Sequence, residues 1–376
     1  MKVMFVVERM EVGGAQRQIA YMANHLSRRN IEVSLLVVKK EGEMIDKIVP
    51  EVEIVSCFRL ASRMPFLGVI FQVLAIIRAA RSKRPNVIYC RLMEFPGAVA
   101  GKILGIPTVV AEINNPRKSL EIKYRFLQLK KFYRMYAGEI ARKLAVLVVA
   151  NSSRLARESE RFFKLNSKPF FIYNGIDIEQ IEKESCETLD HKWILNKETP
   201  LIVSVGRLVP SKDFFSLLEA IAILNQTTKA RLLIVGGGKL KTQLQKKIDS
   251  LNLGEIVSLV GNKANPYPFM KEADVYVSSS IYEGFSNSLI EALALGLPIV
   301  STDHDFGADE MIEDGVSGIL VPTADPEAMA GGLERVLKDR KYAETLSRNA
   351  RKRAQNFTIE KMVSGYEKLF REVAKI

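Results

Sequence analysis

The feature that most constrains this chain is a rhythm. Apolar runs of roughly three to six residues alternate with longer amphipathic stretches, in two series separated by a polar interval. The first series has runs at 3–7, 33–38, 52–56, 87–90, 108–111, 146–150 and 170–172, with helical patterns such as 16–28, 97–104 and 153–163 between them. The second has runs at 201–205, 231–235, 256–260, 275–278, 299–301 and 318–321, again with helices between. Short, nearly continuous apolar runs suit strands buried on both faces, as in parallel sheets covered by helices. Strands that alternate with helices predict an α/β fold. Near Asn174-Gly175-Ile176-Asp177 the pattern breaks, and 178–198 is polar without core periodicity, so it reads as a linker. Two amphipathic stretches, 326–356 with a break and 359–375, close the chain. The expected organisation is a Rossmann-like domain at 1–177, a linker at 178–198, a second Rossmann-like domain at 199–356 and a terminal helix at 357–376. Two doubly wound units in tandem make a central cleft between the carboxyl edges of their sheets, where ligands of such sheets bind.

Charge divides the two halves. The chain carries a net charge of +12, but residues 1–177 hold 30 basic and 15 acidic side chains and the remainder 25 and 28. A basic excess calls for an anionic partner, and here that partner belongs to the first half. Three cysteines, Cys57, Cys90 and Cys186, stand far apart, which argues against a disulfide framework or a structural zinc site and suits a reducing cytoplasm. The first apolar run meets Glu8 and Arg9 at once, too soon for a signal peptide. The longest mostly apolar stretch, 64–77, is shorter than the roughly 20 residues of a spanning helix.

Several constellations sit at strand ends. Gly13-Gly14 lies between the first strand and a helix, where glycines admit close backbone approach and the helix start favours an anion; a plain tight turn is the alternative. Gly206-Arg207-Leu208-Val209-Pro210-Ser211-Lys212 follows the first strand of the second series and offers a guanidinium fork and a point charge for phosphate; two solvated cations are the alternative. Gly236-Gly237-Gly238-Lys239 matches neither the dinucleotide fingerprint nor the P-loop, so a bare turn is its default reading. Glu283-Gly284-Phe285-Ser286-Asn287-Ser288 leads into a helix that carries Glu291. Free N–H groups there suit a diphosphate, and the two carboxylates suit sugar hydroxyls. Ser288-x-x-Glu291 also reads as a capping box, and Glu283 as a solvated loop acid. Asp303-His304-Asp305 resembles a metal ligand set but is equally a polar turn, and no metal is expected. The stretch 117–143 holds nine cations and two acids with interleaved aromatics, and Arg59, Arg63, Arg78, Arg81, Lys83 and Arg84 flank 64–77. These read as an anionic membrane surface, as a solvated helix face, or as a nucleic-acid patch, in that order.

Taken in order, Gly13-Gly14-Ala15, Asn174-Gly175-Ile176-Asp177, Val205-Gly206-Arg207-Leu208 with Lys212, Gly236 to Gly238, Glu283-Gly284-Phe285, Glu291-Ala292, Gly296-Leu297-Pro298 and Asp314-Gly315-Val316-Ser317-Gly318 resemble the family-4 glycosyltransferases, retaining enzymes of the GT-B fold. The Glu-Gly-Phe-Ser-Asn form is similar to bacterial surface-polysaccharide and lipopolysaccharide transferases. The resemblance implies that the terminal helix crosses back onto the N-terminal domain. It implies Glu283, Arg207 and Lys212 as catalytic residues, with the cations on the donor diphosphate and Glu283 on the transferred sugar. It further implies donor contacts from Gly13, Gly14, Gly236, Gly284, Phe285, Ser286, Asn287, Ser288 and Glu291, the last to ribose hydroxyls. Where many relatives carry a histidine, this chain has Glu112-Ile113-Asn114-Asn115-Pro116-Arg117, leaving Asn114, Asn115, Arg117 and Lys118 as acceptor-side candidates.

The expected activity is metal-independent, retaining transfer of a hexose or N-acetylhexosamine from a UDP-sugar to a lipid-linked glycan acceptor, at the cytoplasmic face of the plasma membrane. The basic N-terminal domain would meet the anionic bilayer; no nucleic acid and no cofactor beyond the donor are expected. Two rivals are a GT-B nucleotide-sugar epimerase, disfavoured by the missing acid–base residues, and a non-catalytic peripheral membrane binding protein, disfavoured by intact Arg207, Lys212, Glu283 and Glu291.

Overall fold

The computed structural model describes residues 1–376 apart from 12, 40–41, 57–67, 114–127, 166–167, 196, 305–306 and 376, and only the backbone over 128–134. The chain forms two compact units: Met1–Gly175 with Ile359–Ile376, and Ile176–Thr358.

The first unit holds strands β1 (Lys2–Val7), β2 (Glu32–Val37), β3 (Glu53–Ser56), β4 (Val87–Cys90), β5 (Thr108–Glu112), β6 (Leu147–Ala150) and β7 (Phe170–Phe171). All pair in parallel, in the order β3-β2-β1-β4-β5-β6-β7. Its described helices are α1 (Gly14–Ser27), α2 (Gly68–Lys83), α3 (Glu94–Leu104), α4 (Gln128–Leu144) and α5 (Ser153–Phe163). The continuous apolar run of β1 has a direct cause. Val3, Phe5 and Val7 join one core with Ile19, Met22 and Leu26 of α1, while Met4 and Val6 join another with Ile76, Ala80, Ala98 and Ala141. Alternate side chains leave opposite faces of a strand, and both faces here are covered.

The second unit opens with α6 (Ile178–Glu184) and α7 (Lys192–Leu195), inside the interval 178–198 that was expected to be a linker. Asp177 caps α6 by accepting from Gln180 N at 2.9 Å. Ile181 and Trp193 are buried, and Arg231 lies 5.4 Å from the Trp193 ring centroid. Helices of seven and four residues are too short to display a 3.6-residue period, which is why the segment read as linker. Then follow β8 (Leu201–Val205), α8 (Phe214–Thr227), β9 (Arg231–Val235), α9 (Lys241–Ser250), β10 (Val257–Gly261), α10 (Tyr267–Lys271), β11 (Val275–Ser278), α11 (Asn287–Leu295), β12 (Ile299–Thr302), α12 (Ala308–Met311), β13 (Ile319–Val321), α13 (Pro326–Lys338) and α14 (Arg340–Ala354). This six-stranded sheet is also parallel, in the order β10-β9-β8-β11-β12-β13.

The last helix, α15 (Ile359–Val373), belongs to the first unit. Ile359, Met362, Val363, Tyr366, Leu369, Phe370 and Val373 are all buried, at the spacing of one helical stripe. Tyr366 and Phe370 meet the Tyr89 ring at 5.5 and 5.6 Å, and Phe370 meets Phe5 at 6.2 Å. Each aromatic ring buried this way stabilises the unit by roughly 2–3 kcal/mol.

The basic stretch 117–143 does not behave uniformly. Arg142 is buried, donates from Nε to Glu112 Oε2 at 2.9 Å and from Nη2 to the same oxygen, and lies 4.2 Å from the Phe163 ring centroid. It is therefore no part of a solvated face. Burial pushes the Glu112 carboxyl up, and Arg142 and Ser159 pull it back. Arg117 to Lys131, with Arg59 and Arg63, lie outside the described residues or side chains.

Candidate active site

An open parallel sheet binds ligands at its carboxyl edge, where the strand order reverses and successive connections leave on opposite faces. In the second unit that point lies between β8 and β11. The loops leaving these two strands are tied together. Ile281 N donates to Ser211 O at 2.9 Å, and Ser279 Oγ donates to Lys212 O at 2.7 Å. From β12, Thr302 Oγ1 donates to Ser280 O at 2.6 Å.

These ties bring Lys212 and Glu283 into contact. Lys212 Nζ lies 2.6 Å from Glu283 Oε1, and their side chains are 17% and 14% exposed. Ser280 Oγ donates to the same Oε1 at 2.6 Å. Among the described residues Oε2 accepts nothing, so one carboxylate oxygen remains open to a ligand hydroxyl. Burial alone would raise the Glu283 carboxyl. The charges of Lys212 and His304 and the two hydrogen bonds outweigh it and hold the group below its ordinary value. His304 is the residue that sequence reasoning missed: it was grouped with Asp303 and Asp305 as a doubtful metal motif, yet it is buried and acts electrostatically on Glu283. Its only signal was its place just beyond β12. Asp305 lies outside the described residues.

Arg207 does not join this contact. It is exposed, and its charge reaches Tyr282, whose phenol burial raises and Ser211 and Arg207 lower. The stem of Lys212 instead lies along Gly206, where a Cβ would fall 3.2 Å from Lys212 Cε.

Gly236 has a packing role. Its φ is +151°, and a Cβ there would stand 1.9 Å from Gly206 O. Beside it, Gly206 N donates to Val235 O at 3.0 Å and Leu208 N to Gly237 O at 2.9 Å. The glycine allows the loops after β8 and β9 to close on each other.

Helix α11 begins at Asn287, with Ser286 as its N-cap residue and no side-chain cap. Ser288 is thus inside the helix, so the capping-box register for Glu291 is not realised. Ser288 Oγ accepts from Tyr276 OH at 2.9 Å, and Glu291, buried, accepts from Tyr267 OH at 3.4 Å. Gly284, Phe285 and Ser286 are buried, and the Phe285 ring packs on Phe357 at 5.6 Å. Gly13 and Gly14 stand at the start of α1 in the first unit. Asn114, Asn115, Arg117 and Lys118 lie outside the described residues.

Comparison with known proteins agrees with this architecture. Two solved structures share the fold over 99% of this chain: the Anabaena protein HepE with UDP and glucose (TM-score 0.80, 21% identity, 99% of that chain) and sucrose-phosphate synthase from Thermosynechococcus elongatus (TM-score 0.82, 19% identity, 98% of that chain). Two parallel α/β units of this kind define the GT-B fold. Residues 12–180 match the model of glycosyltransferase family 4 and residues 186–353 that of the group 1 glycosyl transferases. A Campylobacter jejuni protein, N-acetylgalactosamine-N,N'-diacetylbacillosaminyl-diphospho-undecaprenol 4-alpha-N-acetylgalactosaminyltransferase, is 30% identical over 92% of each chain. An Escherichia coli UDP-Gal:alpha-D-GlcNAc-diphosphoundecaprenol alpha-1,3-galactosyltransferase is 22% identical over 96% of this chain and 94% of its own. The chain belongs to the family-4 glycosyltransferases.

Proposed function

We propose that this glycosyltransferase takes a hexose or N-acetylhexosamine from a UDP-sugar and transfers it, with retention and without a metal ion, to a polyprenyl-linked glycan. The observation that carries the reading is the Lys212–Glu283 contact at the reversal point of the second sheet, with one carboxylate oxygen open. Lys212 and Arg207 would offset charge on the leaving diphosphate, the electrostatic term that matters most when a phosphate departs. Glu283 would hold the sugar through Oε2, Glu291 the ribose, and the uncapped start of α11 a phosphate. Gly13 and Gly14 would contribute donor contacts from the start of α1.

In the step so drawn, the anomeric carbon loses its bond to the β-phosphate oxygen and gains one to the acceptor hydroxyl oxygen on the same face. The hydroxyl proton passes to an oxygen of the departing UDP. No second carboxylate is needed as nucleophile or base. The names of the Campylobacter and Escherichia relatives specify diphospho-undecaprenol-linked glycans, which supports a lipid-linked acceptor for this chain in surface-polysaccharide synthesis.

No described helix is long and apolar enough to cross a membrane. An interfacial approach is supported by the first unit. Ile70 and Leu74 of α2 and Ile103 of α3 are 56%, 55% and 60% exposed, among exposed cations Arg78, Arg81, Arg84 and Lys102. Apolar side chains within a basic surface suit the boundary of an anionic bilayer on the cytoplasmic side.

The test is a screen of nucleotide sugars for thermal shift and donor hydrolysis, followed by transfer to lipid-linked acceptors. A UDP-sugar should be turned over, EDTA should leave the rate unchanged, and the product should keep the donor's anomeric configuration. Failure of every UDP-linked donor would remove the reading.

A further inference from the structure

Each sheet has one reversal point, between β8 and β11 in the second unit and between β1 and β4 in the first. In the second unit the largely buried cation at that point, Lys212, has a carboxylate 2.6 Å away. The first unit places a buried cation at the equivalent point, and among the described residues no carboxylate is paired with it.

That cation is Arg91, the residue directly after β4, with 2% of its surface exposed. Val6 of β1 pairs with Cys90, so the chain leaving the end of β1 starts beside Arg91. Among the described residues its guanidinium makes one hydrogen bond, from Nη2 to Asn174 Oδ1 at 3.4 Å, and its buried Nε has no acceptor. No described carboxylate is paired with it. Tyr366 lies within its electrostatic reach, but burial and Tyr89 raise that phenol well above its ordinary value against the pull of Arg91, so it stays neutral. A buried guanidinium without a counter-ion is unfavourable. The backbone beyond it is strained as well. Leu92 has φ +73°, a conformation that a non-glycine residue adopts only when its surroundings enforce it. Here Leu92 N is held by Glu94 Oε1 at 3.2 Å. Strain, and a buried guanidinium whose Nε has no acceptor among the described residues, at a ligand-binding edge point to a ligand that arrives after folding.

We propose that Arg91 is an anion-binding residue of the first unit, poised to take a phosphate or diphosphate group through its guanidinium fork. Guanidinium groups bind phosphate oxygens in pairs, and the start of α1, with no side-chain cap at Gly13, leaves the same edge of the sheet. Two substrates of a glycosyltransferase would bring such a group: the nucleotide sugar and a diphosphate-linked lipid acceptor. The inference adds a ligand to the first unit and does not depend on the assignments made in the second.

The test begins in the full-length Arg207→Ala/Lys212→Met/Glu283→Gln background, in which the two cations proposed to hold the donor diphosphate in the second unit are gone. Inorganic pyrophosphate at low salt should raise the unfolding temperature by about 3 °C. Arg91→Met should abolish that rise and leave the ligand-free unfolding temperature equal or higher, because an apolar chain replaces an unmatched buried charge. Absence of a rise in the parent, or a rise that survives Arg91→Met, overturns the proposal. So does a ligand-free loss of stability in both Arg91→Met and Arg91→Lys, which would make Arg91 a structural tie to Asn174. Arg91→Lys keeps the charge without the fork and should weaken the pyrophosphate response at least threefold; an unchanged response counts against the site. In the otherwise native enzyme, Arg91→Lys separates the sources. A tenfold rise in acceptor KM at constant donor KM assigns the lipid diphosphate, and the reverse assigns the nucleotide sugar. If neither KM moves threefold, the proposal fails.

Discussion

Lys212 Nζ and Glu283 Oε1, 71 residues apart in the chain, stand 2.6 Å apart at the reversal point of the second sheet. Neither side chain is more than 17% exposed, so each depends on the other to offset its desolvation. The contact thus offsets two buried charges within the unit, and under the proposed function the same two groups would meet the donor.

Glu283→Gln should reduce transfer by about 100-fold or more. It should also destabilise the second unit by about 3 kcal/mol, because Lys212 is left buried without its partner. Adding Lys212→Met should restore most of that stability and none of the activity. Chemical denaturation and initial rates read the two effects separately; recovery of transfer in the double variant would show that the pair is structural only.

The same pair sets an acid limit. Glu283 has a folded-state pKa below its ordinary 4.5, since Lys212, His304 and two hydrogen bonds outweigh the rise caused by burial. A depressed carboxyl contributes stability that is fully present above the unfolded value and is lost as pH falls through the folded one. The stability difference between wild type and Glu283→Gln should therefore be constant from pH 7 to about pH 5 and shrink below about 4.5. A difference that grew on acidification would contradict the assignment.

Gly236→Ala should cost 3 kcal/mol or more, on the order of a severe backbone clash, since its Cβ would lie 1.9 Å from Gly206 O at φ +151°. Gly237→Ala, whose Cβ would meet Asn262 Cβ at 3.4 Å and Asn262 N at 4.0 Å, both ordinary contacts, should stay within about 1 kcal/mol of wild type. Equal effects in urea unfolding would show that the loops after β8 and β9 need no glycine to meet.

Ile70→Ser/Leu74→Ser should weaken binding to anionic vesicles roughly tenfold, as two exposed apolar anchors are lost, while unfolding shifts by no more than about 0.5 kcal/mol. Vesicle co-sedimentation at two salt concentrations tests this. Binding that ignores both the substitution and the salt would remove the bilayer from this face.

Much of this was legible in the sequence where burial is two-sided. The runs of β1, β8 and β11 were readable because both faces of each strand are covered, which leaves no polar alternation to misread. Glu283 and Lys212 were readable because each follows a strand in a glycine-bearing loop; that they touch was not, since the sequence does not state which strands are neighbours. Arg91 was invisible, because one cation after a strand looks solvated until the fold buries it. Arg142 misled for the same reason. Glu291 offered a plausible capping box that vanished when the helix began one residue before Ser288.

The placement of α15 has a consequence for biosynthesis. Its Tyr366 and Phe370 complete the packing around Phe5 and Tyr89, yet they are made after the whole second unit. At common translation speeds the first 175 residues would wait on the order of ten to forty seconds with that apolar face uncovered. Order of synthesis and order of folding run against each other in this chain. Of the two units, the one whose strands are made earlier is the later to close, and in that interval it is the one more in need of a chaperone.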